Sequence, residues 1–239
     1  CGIIGIQNNS EAAMLAYMGL YAQQHRGQEG AGIVSSDGND LYRHMGQGIV
    51  ADVFSDSNIF DGLLGNSAIG HVRYSTTGNS DKKNVGPLTF NMGDYYLSIA
   101  HNGNLVNIHD IRMKLQKEGA LFQTSTDTEV IIHLIARAKG KSLADRVEQA
   151  LLDIEGAFSL LLLSPNEIIA ARDPHGIRPF CMGKLQNTIV FSSETCALDL
   201  LGAKYLRDVN PGEMIVANDK GLHSTVINKP RSTKHCIFE

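Results

Sequence analysis

The stretch whose reading decides the fold is Cys1-Gly2-Ile3-Ile4-Gly5-Ile6. It is an apolar, β-branched run with a cysteine in front and no methionine. Such a run predicts a buried strand over residues 2–7 that carries the first residue at its end. A chain processed to leave Cys at position 1 holds a thiol and a free α-amino group on one residue. A thiol has a pKa of about 8.5 and an α-amine one of about 8, so the amine can accept the thiol proton near neutral pH. Nucleophile and base then share a residue. The other reading is a sequence that begins at an arbitrary position. The strand alone leaves both open.

Outward from this strand, the rest of the chain predicts alternating sheets and helices. Ser10 is placed to cap a helix over residues 11–25, with Leu15, Met18 and Ala22 on one face. Strands are predicted at 31–36 and 41–45 around Asp37-Gly38-Asn39, and again at 67–73 and 95–100. Helices follow over 108–118, 127–138 and 142–153. Strands resume at 157–163, 167–172, 188–192, 213–217 and 222–227, with a short helix near 194–201. Strand runs with a helical block between them imply an α+β layered domain with antiparallel sheets.

Composition narrows the function classes. The 239 residues suffice for a substantial core. A net charge of −4, with no block of Lys or Arg, argues against a nucleic-acid partner. No apolar run approaches the ~18 residues that span a bilayer, so no membrane partner is expected. Cys1, Cys181, Cys196 and Cys236 form no CxxC pair, and four scattered cysteines fit a reducing, cytoplasmic setting. The histidines show no HExxH spacing.

Several segments carry candidate chemistry. His101-Asn102-Gly103-Asn104 follows a predicted strand. An Asn side-chain amide beside a Gly backbone N–H offers two donors for an oxyanion, but local sequence alone favours an ordinary Asn-Gly turn. Arg73 ends an apolar strand, where its fork can hold a carboxylate or form a salt bridge. Asp127 lies between Thr126 and Glu129, whose spacing is that of a capping box. A first-turn carboxylate and a receptor for an ammonium are both open readings of Asp127. The glycine-rich Arg26-Gly27-Gln28-Glu29-Gly30-Ala31-Gly32 can cradle a ligand or serve as a loop, and is not a Walker A sequence.

In order along the chain stand Cys1–Ile6, His25-Arg26-Gly27-Gln28-Glu29-Gly30-Ala31-Gly32, Gly70-His71-Val72-Arg73-Tyr74-Ser75-Thr76, His101-Asn102-Gly103-Asn104-Leu105, Ser125-Thr126-Asp127-Thr128-Glu129 and Asp173-Pro174-His175-Gly176-Ile177-Arg178-Pro179. Together they resemble the glutaminase domain of the amidophosphoribosyltransferase family, a branch of the class II glutamine amidotransferases. The resemblance spans essentially all 239 residues. Glucosamine-6-phosphate synthases usually carry HTRWATHG where this chain has His71-Val72-Arg73-Tyr74-Ser75-Thr76-Thr77-Gly78. Penicillin-acylase-like and bile-salt-hydrolase-like enzymes lack the HNGNL and HRGQEGAG segments.

The resemblance implies a four-layer αββα N-terminal nucleophile hydrolase sandwich over residues 1–239. It implies glutamine hydrolysis, with Cys1 as nucleophile and base, and Asn102 and Gly103 as the oxyanion hole. Arg73 would take the glutamine α-carboxylate and Asp127 its α-ammonium. Thr76, on a loop running from Arg73 to about Asn84, would touch glutamine, and Arg26 and Gly27 would flank Cys1. No cofactor is expected for this reaction. The family's phosphoribosyltransferase domain, with its Mg²⁺ site, has no counterpart segment here, and a homo-oligomer is expected of the full-length protein. Some members carry a [4Fe-4S] cluster with a ligand at the position of Cys236, although members without a cluster also have Cys there. A different class II amidotransferase and a non-catalytic module are the alternatives. Loss of Cys1, Asn102, Arg73 or Asp127 would favour the latter, and all four are present.

Overall fold

The computed structural model describes residues 1–75, 82–227, 230–234 and 236–237. The elements are β1 (Gly2–Gln7), α1 (Ala12–Ala22), β2 (Gly30–Ser36), β3 (Leu41–Gln47), α2 (Val50–Val53), β4 (Ser67–Arg73), β5 (Leu88–Asn91) and β6 (Tyr96–Leu105). Then come α3 (Ile108–Lys117), α4 (Asp127–Arg137), α5 (Leu143–Leu152), β7 (Gly156–Ser164), β8 (Glu167–Arg172), β9 (Cys181–Leu185) and β10 (Thr188–Ser192). The chain continues through α6 (Thr195–Leu201), β11 (Lys204–Asp208), β12 (Glu213–Asn218) and β13 (Gly221–Val226).

Two antiparallel sheets stack face to face. One has the order β11-β9-β10-β1-β4-β2-β3, the other β13-β12-β8-β7-β6-β5. The opening strand sits inside the first, paired to β4 from Gly2 opposite Val72 to Gln7 opposite Ser67, and to β10 from Ile4 opposite Ser192. Successive side chains of a strand point to opposite faces. Ile4 and Ile6 therefore join Leu20 of α1 and Leu198 of α6 in one outer core, while Ile3 joins Leu161 and Phe191 between the sheets. In β7, Leu161 and Leu163 face the other sheet; Leu160 and Leu162 pack under α4 and α5 with Ile131, Ile135 and Val147. Both strands are apolar on both faces because both faces are covered. Each such side chain stabilises the fold by about 1.5–3 kcal/mol on burial. The result is the four-layer αββα sandwich, an α+β fold.

Three local expectations are corrected. Ser10 does not cap α1, whose N-cap residue, Glu11, makes no side-chain capping bond. Instead the Asn9 carboxamide oxygen accepts from the Glu11 N–H at 2.8 Å. Thr126 and Glu129 form no capping box, since Thr126 makes no side-chain cap bond. The Glu129 carboxylate accepts from the Gln123 and Thr124 N–H groups at 2.8 and 2.7 Å, and so ties down the loop before α4. Finally, Asn102-Gly103 is not a turn. It lies within β6, with Asn102 opposite Ser159 and Gly103 opposite Phe158. The structure adds strands β5, β9 and β11 to those that the sequence predicts. Their sequences lack a clean period-two pattern, and sheet neighbours supply the order that local propensity does not.

Candidate active site

Strand ends and one helix start converge on a single pocket. Cys1 and Tyr74, which flank β1 and β4, lie at adjacent strand ends, as the Gly2–Val72 pairing requires. The Cys1 thiol donates to the Tyr74 carbonyl oxygen at 3.3 Å, and its sulfur accepts from the Tyr74 N–H at 3.4 Å. The pocket wall brings together Cys1, Arg73, His71, His101, Gly103 and Asp127.

Arg73 ends β4 and is 6% exposed. Burial lowers its pKa, and the negative charges of Glu29 and Asp127 oppose that shift. Its Nε lies 3.9 Å from the Glu29 carboxylate, which itself accepts from the Ser75 N–H and hydroxyl at 2.9 and 2.7 Å. Asp127 opens α4 and is 6% exposed. Burial opposes its charge, yet His101, the Leu105 N–H and Thr128 together hold its carboxyl below the usual range. The Leu105 N–H donates to it at 3.3 Å, and His101 Nδ1 lies 3.3 Å away. A buried cation and a buried anion thus share a cavity with a thiol.

The β6 ladder sets the donor geometry. Backbone N–H groups of successive strand residues point alternately to opposite sides. The Leu105 N–H points at Asp127, and the Val106 N–H points the other way, to the Glu155 carbonyl at 2.8 Å. Alternation therefore turns the Gly103 N–H to the Asp127 side, away from β7. Pairing with β5 on that side begins only at Ile99, so among the described residues no strand pairs with β6 there. The Asn102 side-chain Nδ2 is buried with no hydrogen-bond partner among the described residues. Gly103 has φ 156°, and a Cβ there would lie 2.0 Å from the Ala157 carbonyl oxygen. Only glycine fits.

The remaining predicted residues distribute as follows. Arg26 Nε donates to the Cys1 carbonyl at 2.9 Å. Gly27 lies against the Arg73 backbone, where a Cβ would come within 2.6 Å of the Arg73 carbonyl carbon. Thr76, with the segment 76–81 of the expected closing loop, lies outside the described residues. Cys236 lines a different cavity, with Arg172, Glu194, Cys181 and Cys196. Burial pushes the Cys181 thiol up to about 12 and raises that of Cys196, which opposes the thiolate that an iron–sulfur ligand requires. Among the described residues, no group of three or more His, Cys, Asp or Glu side chains could hold a metal ion. This cavity's residues do not by themselves fit a cluster.

Residues to which the sequence reading gave no chemical role also shape the site. Asn84 exchanges hydrogen bonds with Ser125 at 3.0 and 3.3 Å, linking the far end of the loop to the start of α4. Asp173 receives the N–H groups of Phe158, His175 and Ile177, so the Asp173–Pro179 segment braces the strand behind Gly103. His71 is 6% exposed, and neither ring nitrogen meets a hydrogen-bond partner among the described residues. Its pKa falls from 6.5 to about 3, mainly through burial and then through the N-terminal ammonium, Arg73 and His101. Between those values the unfolded chain binds the proton and the folded one does not. Stability from neutral His71 is therefore complete above pH 6.5 and is lost as the pH falls towards 3. Urea unfolding of wild type and His71→Asn from pH 7 to pH 4 should show the wild type losing stability faster, by up to about 1.4 kcal/mol per pH unit. Parallel curves would mean that His71 does not titrate abnormally.

No helix among the described residues is long and apolar enough to cross a membrane. A family model described as a glutamine amidotransferase domain matches residues 71–200. The chain is 46% identical over 240 residues to the amidophosphoribosyltransferase of Bacillus subtilis (strain 168), covering all of this chain and 50% of that protein. A solved structure described as the allosteric regulatory enzyme of purine biosynthesis superposes with a TM-score of 0.95 at 44% identity, over 99% of this chain and 51% of that one. The glutamine phosphoribosylpyrophosphate (PRPP) amidotransferase from B. subtilis, complexed with ADP and GMP, gives a TM-score of 0.94 at 43% identity, over 99% and 51%. The chain thus spans about half the length of the relatives it matches. With a family model over more than half its length and near-complete superposition on these enzymes, the chain belongs to the glutamine amidotransferase domain family.

Proposed function

We propose that this pocket binds L-glutamine and hydrolyses its side-chain amide to glutamate and ammonia. The observation that carries the reading is the pocket itself, where a thiol, a buried cation, a buried anion and a strand N–H meet. Arg73 receives the α-carboxylate and Asp127 the α-ammonium, so the zwitterion is held end to end. The Cys1 α-amine takes the thiol proton, and the sulfur attacks the amide carbon. The oxyanion formed is stabilised by Asn102 Nδ2 and the Gly103 N–H. The protonated amine passes its proton to the leaving ammonia, and water then cleaves the γ-glutamyl thioester. Thr76 completes the glutamine contacts.

In the full-length protein, this ammonia passes to a phosphoribosyltransferase domain that uses phosphoribosyl pyrophosphate and Mg²⁺ to form phosphoribosylamine, the first committed step of purine synthesis. The assembly is a homo-oligomer in a reducing cytoplasm. A [4Fe-4S] cluster on Cys236 would draw its other ligands from outside these residues. The glutaminase step itself needs no cofactor.

Steady-state ammonia release tests the recognition half of this reading. Arg73→Ala and Asp127→Ala each remove a charge-assisted contact, so the glutamine KM should rise about 10- to 100-fold with a smaller change in kcat. An Asp127→Ala protein with unchanged KM and a lowered melting temperature would assign Asp127 to the helix start instead.

A further inference from the structure

The β1–β10 pairing carries an acidic residue to the nucleophile. Ser192 lies opposite Ile4, and beyond it the Ser193 N–H donates to the Ile3 carbonyl at 3.0 Å, while the Ile3 N–H donates to the Ser193 hydroxyl at 3.0 Å. The next residue, Glu194, therefore arrives level with Gly2, one position from Cys1. Its carboxylate takes the Arg26 guanidinium through one oxygen and His25 Nε2, at 2.9 Å, through the other. The same guanidinium donates from Nε to the Cys1 carbonyl at 2.9 Å. The Arg26 side chain is 8% exposed and that of Glu194 30%. Burial works against the Glu194 charge, but Arg26 and His25 hold its carboxyl below the usual range, so it remains an anion at neutral pH.

Cys1 lies before the first ladder pair, Gly2 opposite Val72, so regular strand pairing does not orient it. Its carbonyl is held by Arg26 and its sulfur by the Tyr74 backbone. An arginine with several rotatable bonds holds a carbonyl in one place only if its own fork is anchored. Glu194 supplies that anchor.

We infer that Glu194 is a positioning residue for Cys1, acting through Arg26 to fix the carbonyl and hence the direction of the thiol. This rests on the reading of Cys1 as the nucleophile of glutamine hydrolysis. Glu194 touches neither the thiol nor the cavity wall around Arg73 and Asp127, so its loss should leave glutamine affinity nearly intact and misalign the attack.

The test compares wild type, Glu194→Gln, Glu194→Asp, Arg26→Lys and the double variant Glu194→Gln/Arg26→Lys. Small misplacement of a reacting atom costs about 10- to 100-fold, and that fall in kcat is expected for Glu194→Gln, with KM within about threefold. Glu194→Asp should recover part of the loss. The double variant should be no worse than Arg26→Lys alone, because both changes break one chain of contacts. A second readout is the rate at which iodoacetamide alkylates Cys1, located by peptide mass, which should fall in Glu194→Gln. Wild-type kcat in Glu194→Gln, additive losses in the double variant, or KM rising as much as kcat falls would each overturn the inference. If wild type alkylates at Cys1 but releases no ammonia from glutamine, the glutaminase reading fails; the alkylation rates still decide whether Glu194 positions Cys1.

Discussion

Cys1→Ala is expected to abolish ammonia release from glutamine, by on the order of 10⁴-fold or more, the result of removing the nucleophile of a covalent route. No other thiol is placed to take over. Cys181 is buried with its thiol pushed up to about 12, and Cys196 is raised by burial and by Glu194. Both line the cavity of Cys236, away from Arg73 and Asp127. A form that retains methionine before Cys1 should lose nearly as much activity, because acylating the α-amine removes the base while sparing the thiol. Ammonia assays on samples of verified intact mass make the comparison. A Met-Cys protein with full activity would show that the amine is not the base, and activity in Cys1→Ala within about tenfold of wild type would place the nucleophile elsewhere.

The second large effect is at Asn102. Removing one oxyanion-hole donor typically lowers kcat by about 10²–10³. The Asn102 Nδ2 is buried without a partner among the described residues, which costs folding energy unless a ligand atom fills the role. Asn102→Ala should therefore lower kcat by about 10²–10³, with a much smaller change in KM, because the ground-state amide oxygen needs the donor less than the oxyanion does. Melting curves run in parallel separate chemistry from stability. A variant that keeps kcat but loses affinity would make Asn102 a binding residue, and a kcat loss matched by unfolding would make it structural.

Much of the fold was legible in the residues because local pattern and tertiary environment agree there. Residues 2–7 read as a buried strand, and the structure covers both of its faces, with Ile4 and Ile6 in one core and Ile3 in another. Residues 157–163 read as a strand, and Leu160 to Leu163 within it divide between two cores. Where one local pattern serves two outcomes, the sequence could not decide. Thr126 and Glu129 have capping-box spacing, but Glu129 turns back to Gln123 and Thr124 and leaves Asp127 in the pocket. Asn-Gly usually marks a turn, yet here β7 extends the ladder through Asn102 and Gly103.

By itself, the sequence determined the layered α+β class, the order of the motifs and the identity of Cys1, Arg73, Asn102, Gly103 and Asp127 as candidates, since composition, periodicity and short motifs are local quantities. Only the tertiary structure decided that Cys1, Arg73, Gly103 and Asp127 share one cavity, that His71 lies there neutral, and that Glu194 reaches Arg26 from 168 residues away. The reason is physical. Strand register and sheet order bring these groups together, and pairing between distant strands depends on what the rest of the chain buries rather than on the residues beside each one.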